Sequence, residues 1–179
     1  MEPWFIATQK FSPADEENWT EFIEWSRLTQ LDEVVSLDPI LCPPLLPNMK
    51  EEYWPYIVDE AFLLPFFTDL PFLLHEVSTI PDKNVLCVYR NPTVLPLPGG
   101  GLLAFEFLGY DLVDVEGGAS ALTNCGGFPE VFSNDEISPK GLLTKHTRAV
   151  EVQKELRRRY PGQLHTDCHL WAIFRAVGV

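Results

Sequence analysis

The sequence predicts an α+β fold. In this fold, a single domain over residues 1–179 contains a mainly antiparallel or mixed sheet with two or three amphipathic helices packed on it. Three observations lead to this prediction. Short β-forming runs alternate irregularly with helical patterns, the densest β-forming run covers residues 102–128, and the clearest helical pattern covers residues 145–160. A hydrophobic fraction of 46% and a mean hydropathy of −0.01 are typical of a globular domain.

The N-terminal part of the chain predicts a strand, a helix and a proline-rich connector. Residues 4–8 are rich in apolar and β-forming types, which indicates the first strand. A helix is predicted from residue 12 to residue 29, because Ser at the N-cap, Pro at the next position and acids in the first turn are typical of a helix start. Trp19 and Phe22 lie on its predicted buried face. Residues 38–48 contain four prolines and are expected to run as an extended, packed segment.

The middle of the chain predicts short elements separated by turns. Residues 33–37 and 56–61 are short β-forming runs, and each is a candidate strand. Residues 66–78 predict a helix that a proline interrupts near its start. Residues 85–90 predict another strand, and the Pro- and Gly-rich residues 91–101 predict a loop inside the same domain.

The C-terminal part predicts the centre of the sheet and the longest helix. Residues 102–107 predict a strand, and residues 112–115 predict either a second strand or the same strand continued past a bulge. Residues 117–128 form a glycine-bounded polar loop, which is where we expect a functional site. Residues 145–160 predict an amphipathic helix, and residues 163–177 predict a last strand with alternating faces.

Charge is unevenly distributed along the chain, whose formal net charge is −13. Residues 1–139 carry 23 acidic and 5 basic side chains, a net charge of −18, whereas residues 140–179 carry 3 acidic and 8 basic side chains, a net charge of +5. An acidic protein repels phosphate backbones, so we expect no nucleic-acid partner. The acidic part favours a basic protein partner. The alternative is that its charge only keeps a cytosolic protein soluble.

Cysteine usage and apolar stretches indicate the compartment. The four cysteines, Cys42, Cys87, Cys125 and Cys168, include no CxxC pair, so a zinc knuckle is not predicted. The first residues lack the basic region and apolar core of a secretion signal, and the apolar stretches are too short to span a membrane. We therefore expect a cytoplasmic protein with reduced thiols and no membrane partner.

Cys125 is the first candidate functional residue. It lies in the turn sequence Asn-Cys-Gly-Gly, where backbone N–H groups can stabilise a thiolate or an oxyanion. A cysteine nucleophile needs a histidine base, and His165 or His169 of the predicted last strand can supply it. The alternative is a buried structural cysteine in a tight turn.

The segment that contains both of these histidines is the second candidate. His165, Asp167 and His169 alternate onto one face of the predicted strand, and two histidines with one carboxylate are a competent set of metal ligands. The alternative is a polar entry to a strand that is otherwise buried.

A third candidate is a binding site at the bend inside the densest β-forming run. Tyr110, Asp111 and Asp114 lie around that bend, and Glu116 and Asn124 follow it in the loop. Carboxylates at such a position can bind a cation or a basic partner. The alternative is that these acids are solvated residues at a strand edge, where charge discourages aggregation.

No pattern typical of a phosphate-binding loop or a nucleophile elbow is present in the sequence. The charge distribution and the aromatic content favour a non-enzymatic interaction or inhibitor module, of the immunity type, that neutralises a basic partner such as a toxin or nuclease. Two alternatives are a small Cys/His-dependent hydrolase or transferase and a metal-binding protein. We expect no cofactor.

Overall fold

The structure is a computed structural model, and it describes residues 2–46, 50–58, 64–98, 103–115, 118–124, 127–163 and 165–179. These residues form four strands and three α-helices of seven or more residues. The strands are β1 (Trp4–Gln9), β2 (Lys83–Arg90), β3 (Phe105–Asp114) and β4 (Cys168–Ala176). The helices are α1 (Glu16–Ser26), α2 (Leu70–Glu76) and α3 (His146–Arg159).

The four strands form one antiparallel sheet in the order β1-β2-β4-β3. The C-terminal strand β4 therefore lies between β2 and β3. The helices pack on this sheet, so the predicted α+β class is confirmed, and the sheet is antiparallel rather than mixed.

Both faces of the sheet are buried. One face supports a large hydrophobic core that includes buried residues of all three helices, among them Trp19, Leu73 and Val152. The other face supports a smaller core, in which the rings of Phe66 and Trp171 stack with centroids 5.0 Å apart. The alternation predicted for β4 is confirmed, because its even-numbered residues lie in the large core, whereas its odd-numbered apolar residues lie in the small one.

The bend predicted near residue 109 is a bulge within one continuous strand. The pairing register between β3 and β4 shifts between Phe107 and Gly109. Gly109 has a φ of +150°, and a Cβ atom there would lie 2.7 Å from Leu142 Cβ and 2.8 Å from the Leu143 carbonyl oxygen. Tyr110 and Leu143 exchange two backbone hydrogen bonds, of 2.7 and 3.0 Å. The bulge thus brings residues 142–143 directly onto β3.

Several predicted boundaries differ from the structure. Helix α1 begins at Glu16 after Asp15, not after Ser12. The predicted strand over residues 33–37 forms only an isolated bridge, because the N–H of Val34 bonds to Phe11 while that of Val35 bonds to Lys140. Because these two N–H groups bond to different parts of the chain, residues 33–37 do not pair continuously with one neighbouring strand. The candidate strand over residues 56–61 lies partly outside the described residues.

The helices of the described segments are short. The longest, α3, has 14 residues and is strongly charged. No helix in the described parts of the chain combines the length and the apolar content needed to cross a bilayer.

Candidate functional site

Cys125 lies outside the described residues, so its pairing with a histidine stays a prediction. Both histidines proposed as its base have other contacts. His165 Nδ1 lies 3.4 Å from Asp114 Oδ2, and its backbone N–H donates to the same oxygen at 2.8 Å. His169 Nδ1 lies 3.1 Å from Asn91 Nδ2.

The residues of the proposed metal triad do not share one strand. β4 begins at Cys168, so His165 and Asp167 belong to the preceding turn, where His165 has a left-handed φ of 66°. Asp167 pairs with Arg157 at 2.9 Å. Across the described residues, no group of three or more His, Cys, Asp or Glu side chains is placed to hold a metal ion. The geometry therefore gives the metal hypothesis no support.

The residues predicted to form a binding site at the bend lie in the interior. Tyr110 is buried against the rings of Phe107 and His146. Asp111 is 0% exposed, and the side chain of Asp114 is 8% exposed. The expectation of solvated acids at a strand edge is wrong for these two, because loops cover this part of β3. Glu116 lies outside the described residues.

Asp111 is the centre of a buried hydrogen-bond network. Each of its carboxylate oxygens accepts one hydroxyl and one backbone N–H. Oδ1 accepts from Ser120 Oγ at 2.7 Å and from the Leu112 N–H at 2.8 Å. Oδ2 accepts from Ser36 Oγ at 2.5 Å and from the Leu37 N–H at 3.3 Å. Burial raises the pKa of Asp111, and these four bonds oppose the increase.

A second buried carboxylate, Asp38, extends this network to the loop before Cys125. Its Oδ2 accepts from the Ser120 N–H at 2.9 Å and from Asn124 Nδ2 at 2.7 Å. Its Oδ1 accepts from the Ile40 N–H at 2.8 Å. Asn124 was predicted as a binding residue, and the structure gives it this positioning role. Asp38 was missed, although an aspartate before proline is a typical signal for such a side-chain turn.

A third polar cluster surrounds Glu33, on the side of the sheet that carries the smaller core. Glu33 Oε2 lies 2.8 Å from Arg175 Nη1 and 3.0 Å from Lys140 Nζ, and Asn84 Nδ2 donates to Oε1 at 2.9 Å. Burial alone would raise the pKa of Glu33, but the bonds from Asn84, Lys140 and Arg175 outweigh it and lower the pKa. The cluster links Asn84 of β2 and Arg175 of β4 to the loop residues Glu33 and Lys140, so we assign it a structural role.

Two surface cavities lined by described residues are considered as candidate sites. The first, which we call the α1 groove, has a volume of about 530 Å³ and lies between α1 and residues 40–43. Asp15, Glu21 and Trp25 line it from the α1 side, and Ile40 lines it from the opposite side. Trp25 is 52% exposed and Ile40 is 72% exposed.

The second cavity, which we call the α3 cleft, has a volume of about 380 Å³. Polar residues of two elements line it, namely Asn91 and Thr93 of the loop after β2 and His146, Gln153 and Arg157 of α3. The sequence pattern did not indicate this cleft, because its two sides are more than fifty residues apart.

Comparison with known proteins finds no match for this chain, whether among family models, curated proteins or solved structures.

Proposed function

We propose that this protein is a non-enzymatic interaction module that binds a basic segment of another protein in the α1 groove. One observation carries the proposal: Trp25 and Ile40, two large apolar side chains, are exposed in the same groove, and carboxylates border it. Exposed aromatic residues in a concave surface are typical of protein-binding sites.

The charge of α1 supports a basic partner. The helix sequence contains four glutamates and no lysine or arginine. Glu16, Glu17, Glu21 and Glu24 are all exposed, as is the N-cap residue Asp15. Of the described residues that line the groove, Lys10 is the one that is basic. A segment with several Lys or Arg side chains would therefore be attracted to this helix and would lose affinity as salt concentration rises.

The apolar residues of the groove define the rest of the partner. Trp25 contacts Phe22, which anchors one side of the indole to the large core while the other side stays accessible. A partner side chain such as Leu, Met or Phe would cover Trp25 and Ile40. Because truncation of a central aromatic residue often costs about 2 kcal/mol in an interface, Trp25 is the expected anchor of binding.

An inhibitor of the immunity type, which neutralises a basic toxin or nuclease, is the variant of this function that the acidic charge favours. We place the function in the cytoplasm. Cys42 and Cys87 are buried and form no disulfide bond, which supports that compartment, since cytoplasmic thiols are kept reduced.

Selection from a phage-displayed library of random peptides tests the proposal. The target is the wild-type protein, and the counter-target is the double variant W25A/I40S. We expect the selected peptides to contain several Lys or Arg residues around one large apolar residue and to bind the counter-target weakly. Selected peptides without an excess of basic residues, or with equal binding to both targets, would contradict the proposal.

A further inference from the structure

We propose that the α3 cleft is a second, independent site that binds a small organic anion, with the anionic group at Arg157 and an apolar part over Val150 and Leu170. This inference does not depend on the function proposed for the α1 groove. No described residue lines both sites.

The cleft has the size and lining of a small-molecule site. His146, Val150, Gln153 and Arg157 follow one another at helical spacing, so they form one stripe of α3. This stripe lines the cleft together with residues 91–93, and the buried residue Leu170 also lines it. A volume of about 380 Å³ falls within the range of small-ligand pockets.

The fold holds Arg157 in place before any ligand binds. Its Nε donates to Asp167 Oδ1 at 2.9 Å, and its Nη2 donates to the Cys168 carbonyl at 2.8 Å. A guanidinium carries five N–H groups in a rigid plane, and these bonds use two of them. Its side chain is 47% exposed, so the remaining edge is accessible to a carboxylate or a phosphate group.

The other polar groups of the cleft are also fixed. Gln153 Nε2 donates to the same Cys168 carbonyl at 2.7 Å, which leaves its side-chain oxygen as an acceptor. His146 Nε2 lies 2.7 Å from the Pro92 carbonyl oxygen. Because a carbonyl oxygen only accepts, Nε2 must carry a hydrogen, and Nδ1 of the neutral ring is an acceptor. A ligand with a hydroxyl or amide donor beside its anionic group would satisfy these acceptors.

The charge balance at the cleft predicts a modest affinity for anions. Among the described residues that line the cleft, Arg157 is the one that is permanently charged. The Asp167 carboxylate, which is 70% exposed, partly neutralises it. We therefore expect dissociation constants of about 1 mM for simple anions.

Titrations followed by ¹H–¹⁵N NMR test this site, with benzoate and phenyl phosphate as probes and benzamide as the neutral match. We expect both anions to shift the amide signals of α3, Asn91 and Thr93, whereas benzamide should bind about tenfold more weakly. The relative affinities of the two anions show whether the site prefers a carboxylate or a phosphate group. Absence of shifts at the cleft for both anions would overturn the proposal.

Three variants separate recognition of the anion from a structural effect. Arg157→Gln should lose the shifts, whereas Arg158→Gln, which removes a neighbouring cation that pairs with Glu155, should leave them unchanged. Asp167→Asn should strengthen binding, because it removes the carboxylate that competes for Arg157. Equal binding by R157Q and the wild type, or weaker binding by D167N, would overturn the assignment.

Discussion

The hydroxyl of Ser120 donates a 2.7 Å hydrogen bond to Asp111 Oδ1 in the interior of the protein. The backbone N–H of the same serine donates to Asp38, so one residue joins two carboxylates that are both 0% exposed. Hydrogen bonds to these two carboxylates therefore link the segment around Asp38, strand β3 and residues 120–124. The network is satisfied by hydroxyl and amide donors.

The first prediction concerns Asp111. Both of its oxygens accept a backbone N–H, so Asp111→Asn would place an amide NH₂ against the N–H of either Leu37 or Leu112. We expect a loss of about 1–3 kcal/mol in the free energy of unfolding, even though the variant avoids burying a charge. Urea unfolding at pH 7 measures this.

The matched control is Asp135→Asn, because Asp135 is exposed. This control should change the free energy of unfolding by less than about 0.5 kcal/mol. A D111N protein as stable as the control, or more stable than the wild type, would contradict the role assigned to the two backbone N–H groups.

The second prediction concerns the pH dependence given by Glu33. Its folded-state pKa lies below the ordinary value of 4.5, so its contribution to stability is fully present above that value and is lost as pH falls through the folded pKa. We expect Glu33→Gln to lose about 3 kcal/mol at pH 7, since it breaks a mostly buried ion pair with Arg175.

The stability difference between wild type and E33Q should therefore shrink as pH is lowered below 4.5. Urea unfolding of both proteins at pH 7, pH 5 and acid pH measures the difference directly, since other titrating groups cancel. A difference that stays constant or grows with acidification would be incompatible with a lowered pKa.

The third prediction concerns the bulge in β3. Gly109→Ala would place a Cβ within 2.8 Å of the Leu143 carbonyl oxygen, a backbone atom that cannot move without breaking the pairing with Tyr110. We expect a loss of about 3 kcal/mol or more. Gly162→Ala is the control, because Gly162 also has a positive φ but has no heavy atom within 4 Å of the added Cβ.

The control should cost only the backbone strain, about 1–2 kcal/mol. Thermal unfolding followed by circular dichroism compares the two variants. Equal melting temperatures for G109A and G162A would show that the close approach to residues 142–143 is not what requires glycine.

The fourth prediction concerns thiol reactivity. Cys42, Cys87 and Cys168 are buried, and burial raises the pKa of the Cys42 thiol and raises that of Cys87 to about 12. We expect iodoacetamide to label these three only after unfolding, as read by peptide mass spectrometry. Labelling of any of these three thiols in the native protein would contradict their burial in the structure.

The same experiment bears on the Cys125 hypothesis. A nucleophile with a histidine base should be labelled rapidly in the native protein at neutral pH. Slow labelling of Cys125 would remove that hypothesis.

Local patterns predicted two of the regular elements closely. The two faces of β4 follow directly from alternation, and α3 differs from its predicted bounds by one residue at each end. The start of α1 was misplaced because both Ser12 and Asp15 are favourable residues before a helix. Local signals alone do not choose between them.

The candidate sites were much less predictable, because they depend on contacts between distant segments. In the sequence, Asp111 is a polar residue at a predicted bend. Its burial depends on contacts with distant residues such as Ser36, which is 75 positions away and donates a hydrogen bond to it. The α1 groove requires Ile40 to lie near Trp25, and the α3 cleft requires residues 91–93 to lie near α3. No periodicity within a helix or a strand contains that information.

The proposed function is tested most directly by the affinity of one selected basic peptide for three proteins, namely wild type, W25A and W54A. Trp54 is 62% exposed but does not line the α1 groove, so it is a matched control for loss of an exposed indole. We predict that W25A weakens binding about thirtyfold, that W54A leaves it unchanged, and that salt weakens wild-type binding. Equal affinities for W25A and the wild type would contradict the account.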